Sequence, residues 1–171
     1  MNVKMKASGI DRIIRRLDKA ERRLDEQVKQ FAERLGSVGI RYMQVGFANA
    51  IYDGTNDVTI DNMVWMTDTT LRLTARGQSV AYIEFGTGTF YVGGANEHPK
   101  AEQFGAIRGS RGQQKGLNPP WVYFGNPGSR GIDTGNGFVL TFGNPANRVM
   151  YNSAKEMRLR IEEVAKEVFR I

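Results

Sequence analysis

The sequence contains no cysteine, a single histidine and no long apolar run. The absence of cysteine excludes disulfides, thiolate metal sites and cysteine nucleophiles. No apolar stretch approaches the roughly 18 residues that a membrane-spanning helix needs, and the N-terminal segment lacks the apolar core of a secretory signal. We therefore expect a protein that is made in the cytoplasm and has no membrane partner.

The single histidine restricts the chemistry further. A metal site would need His98 together with carboxylates such as Glu97 and Glu102, and their spacing matches no known ligand pattern. Nothing in the sequence ties a serine and an aspartate to His98 as a triad would require. A histidine in a loop before Pro99 is the preferred interpretation. We predict no catalytic, cofactor-binding or metal-binding residues, no cofactor and no enzymatic activity.

Positive charge is in modest excess, with a net charge of +6. Such a balance favours polyanionic partners, although lysines and arginines alternate with acids at both ends of the chain, as on solvated helix faces. The glycine-rich run "IRGSRGQQKG" contains no acid. Its residues Arg108, Arg111 and Lys115 are therefore candidates for contact with DNA or a protein partner, and a solvated loop is the alternative.

Residues 1–52 are predicted to be helical. Apolar residues recur at steps of three and four, which places them on one narrow stripe of nearly heptad period. The stripe comprises Ile10, Ile13, Ile14, Leu17, Ala20, Leu24, Val28, Phe31, Leu35 and Val38. It indicates packing against another helix, as in a coiled coil. Gly36 and Gly39 predict a kink or a break before a second stretch in which Ile40, Met43, Phe47 and Ala50 face inward.

Residues 57–143 are predicted to form a sheet with long loops. The segments "VTIDNMVWM", "TLRLTA" and "VAYIEF" have strand character and suggest an antiparallel meander. Trp121 to Phe124 and Gly137 to Phe142 predict a hairpin around the loop "GNPGSRGIDTGN". Together with the helical N-terminal segment, this pattern predicts one α+β domain with helices on one face of the sheet.

Residues 144–171 complete the domain as an amphipathic helix packed on the sheet. Asn144 is the expected N-cap, with Pro145 in the first turn. The predicted inner stripe comprises Met150, Ala154, Met157, Ile161, Val164 and Val168.

The stretch "AYIEFGTG" raises the question of whether Glu84 is a catalytic carboxylate. On a strand, Glu84 would point away from Ile83 and Phe85, toward solvent or a subunit contact. General acid–base work needs a partner group within hydrogen-bond reach, and none stands out nearby. Gly86, Thr87 and Gly88 lack the spacing of a phosphate-binding loop and predict a turn after a strand. A structural role for Glu84 is favoured over a hydrolase.

Two stretches resemble a known family when they are taken together: "AYIEFGTG" and "FGNPANRVMYNSAKEMRLRIEEVAKEVF". They are similar to the head–tail joining, or neck, proteins of long-tailed phages, also described as tail-completion proteins and related to the minor tail protein Z family of lambda-like phages. The first motif maps onto Tyr82, Glu84, Phe85, Gly86, Thr87 and Gly88, and the second onto Asn144, Pro145, Ala146, Met150 and Tyr151. Residues 89–141 are longer and richer in glycine than in the shortest members.

The resemblance implies a structural virion protein at the head–tail junction, assembled in the host cytoplasm. Such proteins are thought to form a ring of six or twelve copies between the connector or adaptor and the tail-terminator or tail-tube proteins. Genomic DNA would pass through the lumen and could contact it. The two motifs would then be structural, at a packing centre or a subunit boundary. A basic nucleic-acid-binding module and a hydrolase using Glu84 are the alternatives.

Overall fold

The computed structural model describes residues 8–87, 98–104 and 120–169. Its architecture is α+β, as predicted: a long N-terminal helix, small antiparallel sheets and helices at the C-terminal end. The predicted site residues Gly88, Arg108, Arg111 and Lys115 lie outside the described residues.

The element bounds are as follows. The helices are α1 (Ser8–Ala48), α2 (Val80–Phe85), α3 (Val149–Leu159) and α4 (Ile161–Phe169), with a short 3-10 helix at Glu102–Phe104. The strands are β1 (Thr59–Ile60), β2 (Val64–Thr67), β3 (Thr70–Arg72), β4 (Ala75–Arg76), β5 (Trp121–Phe124), β6 (Ile132–Gly135) and β7 (Phe138–Thr141). No described helix combines the length and the apolar character that crossing a bilayer requires.

Helix α1 is continuous through Gly36 and Gly39, so the predicted break is wrong. The glycines serve close packing instead. A Cβ on Gly36 would lie 2.5 Å from Sδ of Met63, and one on Gly39 would lie 2.5 Å from Sδ of Met157. A glycine lowers the stability of a helix by only about 1 kcal/mol relative to alanine. The packing of Met63 and Met157 against the two glycines is sufficient to offset that loss and keep the helix continuous.

The C-terminal helices run antiparallel along α1. Ser153 of α3 donates a hydrogen bond to the carbonyl of Gly39 at 2.8 Å. Toward the end of α4, Gln27 donates to the carbonyl of Val168 at 2.9 Å, and the ring of Phe31 lies 5.8 Å from that of Phe169. The pair α3–α4 therefore covers α1 only as far back as Gln27.

The predicted single C-terminal helix differs from the structure in three ways. It begins at Val149 rather than at the Asn144 cap, and it is divided at Arg160. Its first half also turns a different face inward, because Val149 and Ser153 are buried whereas Met150 is exposed. In the second half Ile161 is exposed, while Val164 and Val168 are buried as predicted. A search for apolar residues misses the inner face of the first half because one of its buried residues is a serine. Ser153 can be buried since its hydroxyl donates to the carbonyl of Gly39.

The strands form three small antiparallel sheets. β1 pairs with β4, β2 pairs with β3, and β7 lies between β5 and β6. The predicted antiparallel pairing of β5 with β7 is confirmed, with Trp121 opposite Thr141 and Phe124 opposite Phe138, but the two strands do not form a hairpin. The loop predicted between them contains β6. A tight turn at Asn136–Gly137, both with positive φ, joins β6 to β7.

The segment "VAYIEF" is helix α2, so its prediction as the third strand of a meander is wrong. Adjacent residues Ile83 and Glu84 are both buried, which an alternating strand with one exposed face would not allow. Ile83 is 0% exposed and belongs to the main core with Met43, Phe47 and Val149. The core thus lies where α1, α2 and the start of α3 meet.

Candidate functional site

Glu84 belongs to the first of the two motifs described above and is buried, with 4% of its surface exposed. Its Oε2 accepts the backbone N–H of Met150 at 2.8 Å, and its Oε1 accepts that of Tyr151 at 3.0 Å. These are first-turn donors of α3, which have no partner within that helix. Glu84 therefore caps α3 from the end of α2. The helix dipole at the start of α3 also stabilises its negative charge.

His98 supplies the third hydrogen bond to Glu84. Nε2 of the ring lies 2.9 Å from Oε1 of Glu84, while Nδ1 accepts the backbone N–H of Lys100 at 3.0 Å. Because Nδ1 is an acceptor, Nε2 carries the proton, and the ring is neutral in this arrangement. His98 is 4% exposed and packs edge-on against Phe85 and Tyr151. It lies outside any helix or strand, as predicted for a loop histidine, and it is buried.

The position of Glu84 also differs from the sequence prediction, which placed it toward solvent or a subunit contact. Three donors occupy its two oxygens, and each donor belongs to the protein itself. These three contacts favour a structural role for Glu84 over that of a catalytic base.

The turn after Glu84 is closed by the second motif. Gly86 has φ of 76° and ψ of −179°, a conformation that side chains disfavour. A Cβ there would lie 2.7 Å from the carbonyl oxygen of Asn144 and 2.7 Å from the nitrogen of Ala146. The next residue, Thr87, exchanges two backbone hydrogen bonds with Asn144, at 2.8 and 3.1 Å.

Asn144 and Asn147 extend this contact to the segment after α1. Oδ1 of Asn144 accepts the N–H of Asp53 at 2.5 Å, and its amide nitrogen donates to Oγ1 of Thr87 at 3.2 Å. Asn147 accepts the N–H of Ile51 at 2.8 Å and donates to its carbonyl at 3.0 Å. Three segments distant in sequence are thereby joined through two amide side chains.

Asp53 is the other buried acid of this region. Its carboxylate accepts a hydrogen bond from Thr141, and its burial raises its pKa, while that hydroxyl and the backbone of Arg130 and Gly131 act in the opposite direction. Burial, with the nearby charge of Asp53, raises the pKa of Tyr123 to about 12. The Tyr123 hydroxyl donates to the carbonyl of Asn126 at 2.6 Å.

A second acid acts on a helix start, this time that of α2. Asp57 accepts the N–H groups of Gln78 and Ser79 at 2.7 and 2.9 Å, and the Ser79 hydroxyl also donates to it. The Ser79 hydroxyl and these two N–H groups lower the pKa of Asp57 to about 2. Asp57 thus holds the start of α2, and Glu84 near the end of α2 holds the start of α3.

The structure brings the two predicted motifs together. Glu84, Gly86 and Thr87 contact Asn144, Ala146, Met150 and Tyr151 directly, through the bonds and close approaches given above. Pro145 accepts a hydrogen bond from Asn147 at 3.2 Å. The ring of Phe85 packs against that of His98, and Tyr82 is half-buried on α2.

A cleft of about 530 Å³ opens beside Glu84. Its apolar wall includes Val80, Phe85 and Phe104, and its basic residues are Lys100, Lys155 and Arg158. Within the described ranges none of these three cations forms an ion pair. The chemistry of the cleft suits a partner segment that presents an apolar and an acidic side chain together.

No group of three or more His, Asp and Glu side chains suitable for a metal ion occurs among residues 8–87, 98–104 and 120–169. Sequence reasoning missed the partnership of Glu84 with His98 and the roles of Asp53 and Asp57. No local signal marks Glu84 and His98 as partners, since fourteen residues separate them. For Asp57 the only sequence hint is an acid upstream of a serine that precedes a short helix.

Comparison of the chain with protein-family models, with curated proteins and with solved structures finds no match.

Proposed function

We propose that this chain is a structural virion protein of the head–tail junction of a tailed phage, where it completes the tail or neck. Copies of the chain form a ring between the connector or adaptor and the tail-terminator or tail-tube proteins. Genomic DNA passes through the lumen of that ring. The chain contributes surfaces rather than chemistry, and Glu84 and His98 keep its central helices in place.

The observation that carries this proposal is the direct contact of the two motifs on which the resemblance rests. The residues from Glu84 to Thr87 and those from Asn144 to Tyr151 are more than fifty positions apart, yet each supplies the hydrogen-bond partners of the other. If the similarity of these two short stretches arose by chance, there would be no reason for them to contact each other in the fold. Their contact is expected if the chain inherited both motifs together from the family that it resembles.

Exposed apolar surface gives independent support for an assembled state. The three-stranded sheet presents Phe124, which is 77% exposed, next to Phe138, with their rings 5.6 Å apart. Val122 and Ile132 are also exposed on these strands. Contiguous apolar surface of this kind marks contacts with other proteins, which a ring between two larger structures requires.

The deciding experiment is electron microscopy of lysates from a phage or prophage that lacks this gene, with a strain complemented by the wild-type gene as control. DNA-filled heads and separate tails are expected, and complementation should restore joined particles. Normal joined particles in the deletion strain would overturn the proposal. The completeness of the separated heads and tails would show which of the two lacks its last component.

The net charge of +6 favours a second candidate, a basic nucleic-acid-binding module. It predicts an affinity for DNA that falls steeply with salt and that is weakened when Arg108, Arg111 and Lys115 are all changed to glutamine. A gel-shift or fluorescence-anisotropy titration at several salt concentrations measures both effects. Equal binding by wild type and triple variant would remove the role of the basic run.

A further inference from the structure

The N-terminal part of α1 projects beyond the rest of the described structure. Residues 9–26 are exposed on every side, a length of about 27 Å at 1.5 Å per residue. The apolar stripe continues along this part, where Ile10, Ile13, Ile14, Leu17 and Leu24 are all at least 49% exposed. Farther along α1 the same stripe is covered by α4, as the contact of Phe31 with Phe169 shows.

The charges beside the stripe are arranged by sign. At about 100° per residue, Asp18, Glu21 and Asp25 fall along one edge of the stripe, which we call the acidic edge. Arg16 and Arg23 fall along the other, which we call the basic edge. None of these five side chains forms an ion pair in the part of the chain that the structure describes.

This arrangement distinguishes between the two directions in which copies of the helix can pack. When two such helices lie side by side in the same direction with their stripes facing, the acidic edge of each meets the basic edge of the other. When they run in opposite directions, like edges meet and like charges repel. The stripe is therefore self-complementary only for parallel copies.

We propose that residues 9–26 of α1 form a parallel helical contact with the same segment of further copies of this chain. The apolar stripe of each copy faces the neighbouring copies, and the acidic edge of one copy lies against the basic edge of the next. This deepens the proposed function, because the same contact repeated around an axis closes a ring. A second copy is the favoured occupant because the helix carries both halves of the complementary charge pattern.

Single cysteines test the direction of packing, and the wild-type chain has none to interfere. Full-length Ile10→Cys and Leu24→Cys are each treated with a short bismaleimide, alone and as an equimolar mixture. We expect each variant to cross-link with itself, because parallel copies place equal positions side by side. Glu26→Cys, on the opposite face of α1, should cross-link poorly and is the matched control.

Cross-linking only in the Ile10→Cys and Leu24→Cys mixture would show antiparallel packing and overturn the proposal, since these positions are about 21 Å apart along one helix. A monomeric wild type in sedimentation experiments, without cross-links, would overturn it as well. Circular dichroism checks that each variant remains folded.

Charge reversal tests the edges directly. The acidic-edge variant D18K/E21K/D25K and the basic-edge variant R16E/R23E should each dissociate, because both edges then carry one sign. Mixing the two should restore the wild-type mass in sedimentation. Wild-type assembly by either variant alone would show that the edges do not meet. If the deletion strain gives unjoined particles but the cysteine variants give no cross-links, only this helical contact is contradicted. If the cysteine variants cross-link but the deletion strain gives normal joined particles, only the joining function is contradicted.

Discussion

Glu84 accepts the backbone N–H of Tyr151 at 3.0 Å across a separation of 67 residues. The same carboxylate also accepts the N–H of Met150 and bonds His98, so that one side chain joins α2, α3 and the segment at His98. Its position explains how an acidic residue in an apolar stretch can be buried. All of its partners are donors, and two of them would otherwise lack a partner at the start of α3.

We expect Glu84→Gln to lower the free energy of unfolding by about 1–3 kcal/mol. The amide has one acceptor oxygen, and its NH₂ group would face donors, which leaves a buried N–H unsatisfied. Urea denaturation at neutral pH measures the change. Glu162→Gln is the control, because its ion pair with Lys166 is exposed and should contribute less than about 1 kcal/mol. Equal stability of Glu84→Gln and wild type would contradict the capping role.

The ring of His98 should be in the tautomer with its proton on Nε2. Lys100 donates its N–H to Nδ1, and Glu84 accepts from Nε2. Since the chain has one histidine, a long-range ¹H–¹⁵N spectrum at neutral pH reports this side chain without ambiguity. A signal pattern of the Nδ1–H tautomer would contradict the hydrogen-bond assignment. Glu84→Gln should shift both ring nitrogens because it replaces the partner of Nε2.

Asp57→Asn should flatten the loss of stability in acid. The hydroxyl and N–H of Ser79 and the N–H of Gln78 lower the pKa of Asp57 from 3.8 to about 2 in the folded protein. Because the folded pKa is the lower one, this stabilisation is fully present above about pH 5 and is lost as the pH falls through 4 toward 2. Urea unfolding at a series of pH values should therefore show a smaller decline for the variant.

The variant should also be less stable than wild type at pH 7, where the charged Asp57 holds the start of α2. Asp68→Asn is the matched control, since the Asp68 side chain accepts no hydrogen bond among the described residues and should leave both quantities unchanged. An Asp57→Asn profile parallel to that of wild type would show that the three bonds do not favour the charged form.

Gly86→Ala should destabilise the fold by about 1–3 kcal/mol or more, because φ of 76° with ψ of −179° is a conformation available almost only to glycine. The added Cβ would also meet the backbone of Asn144 and Ala146 at 2.7 Å. Thermal unfolding followed by circular dichroism measures the effect. Gly9→Ala, which has open space around it in α1, should leave stability unchanged or raise it by up to about 1 kcal/mol. A wild-type melting temperature for Gly86→Ala would contradict the close approach.

The parts of the fold that were predictable have a strong local pattern. The apolar period of α1 and the burial of Met43 and Phe47 follow from steps of three and four residues. The pairing of β5 with β7 follows from two apolar runs separated by turn residues. The strand β6 was missed although Asn136–Gly137 is a hairpin signal, because glycine and proline dominate the rest of that loop.

The parts that were not predictable depend on distant partners. Six residues alternating as "VAYIEF" fit a strand by period, and α2 forms because Asp57 holds its first turn and because Ile83 and Glu84 are both needed inside. Likewise, nothing near His98 indicates that its partner is Glu84. At α2, tertiary hydrogen bonds outweighed the local preference.

The close packing of Gly86 against the segment from Asn144 to Ala146 has an evolutionary consequence. The backbone of Asn144 and Ala146 leaves no room for a side chain at Gly86, and the amide of Asn144 donates to the hydroxyl of Thr87. A substitution at Thr87 or Asn144 is therefore expected to require a matching change at the other. The two stretches should therefore diverge together, while the sheet and loops between them vary in length and composition. Grafting residues 144–151 from a related protein should consequently succeed only when residues 82–87 are transferred with them.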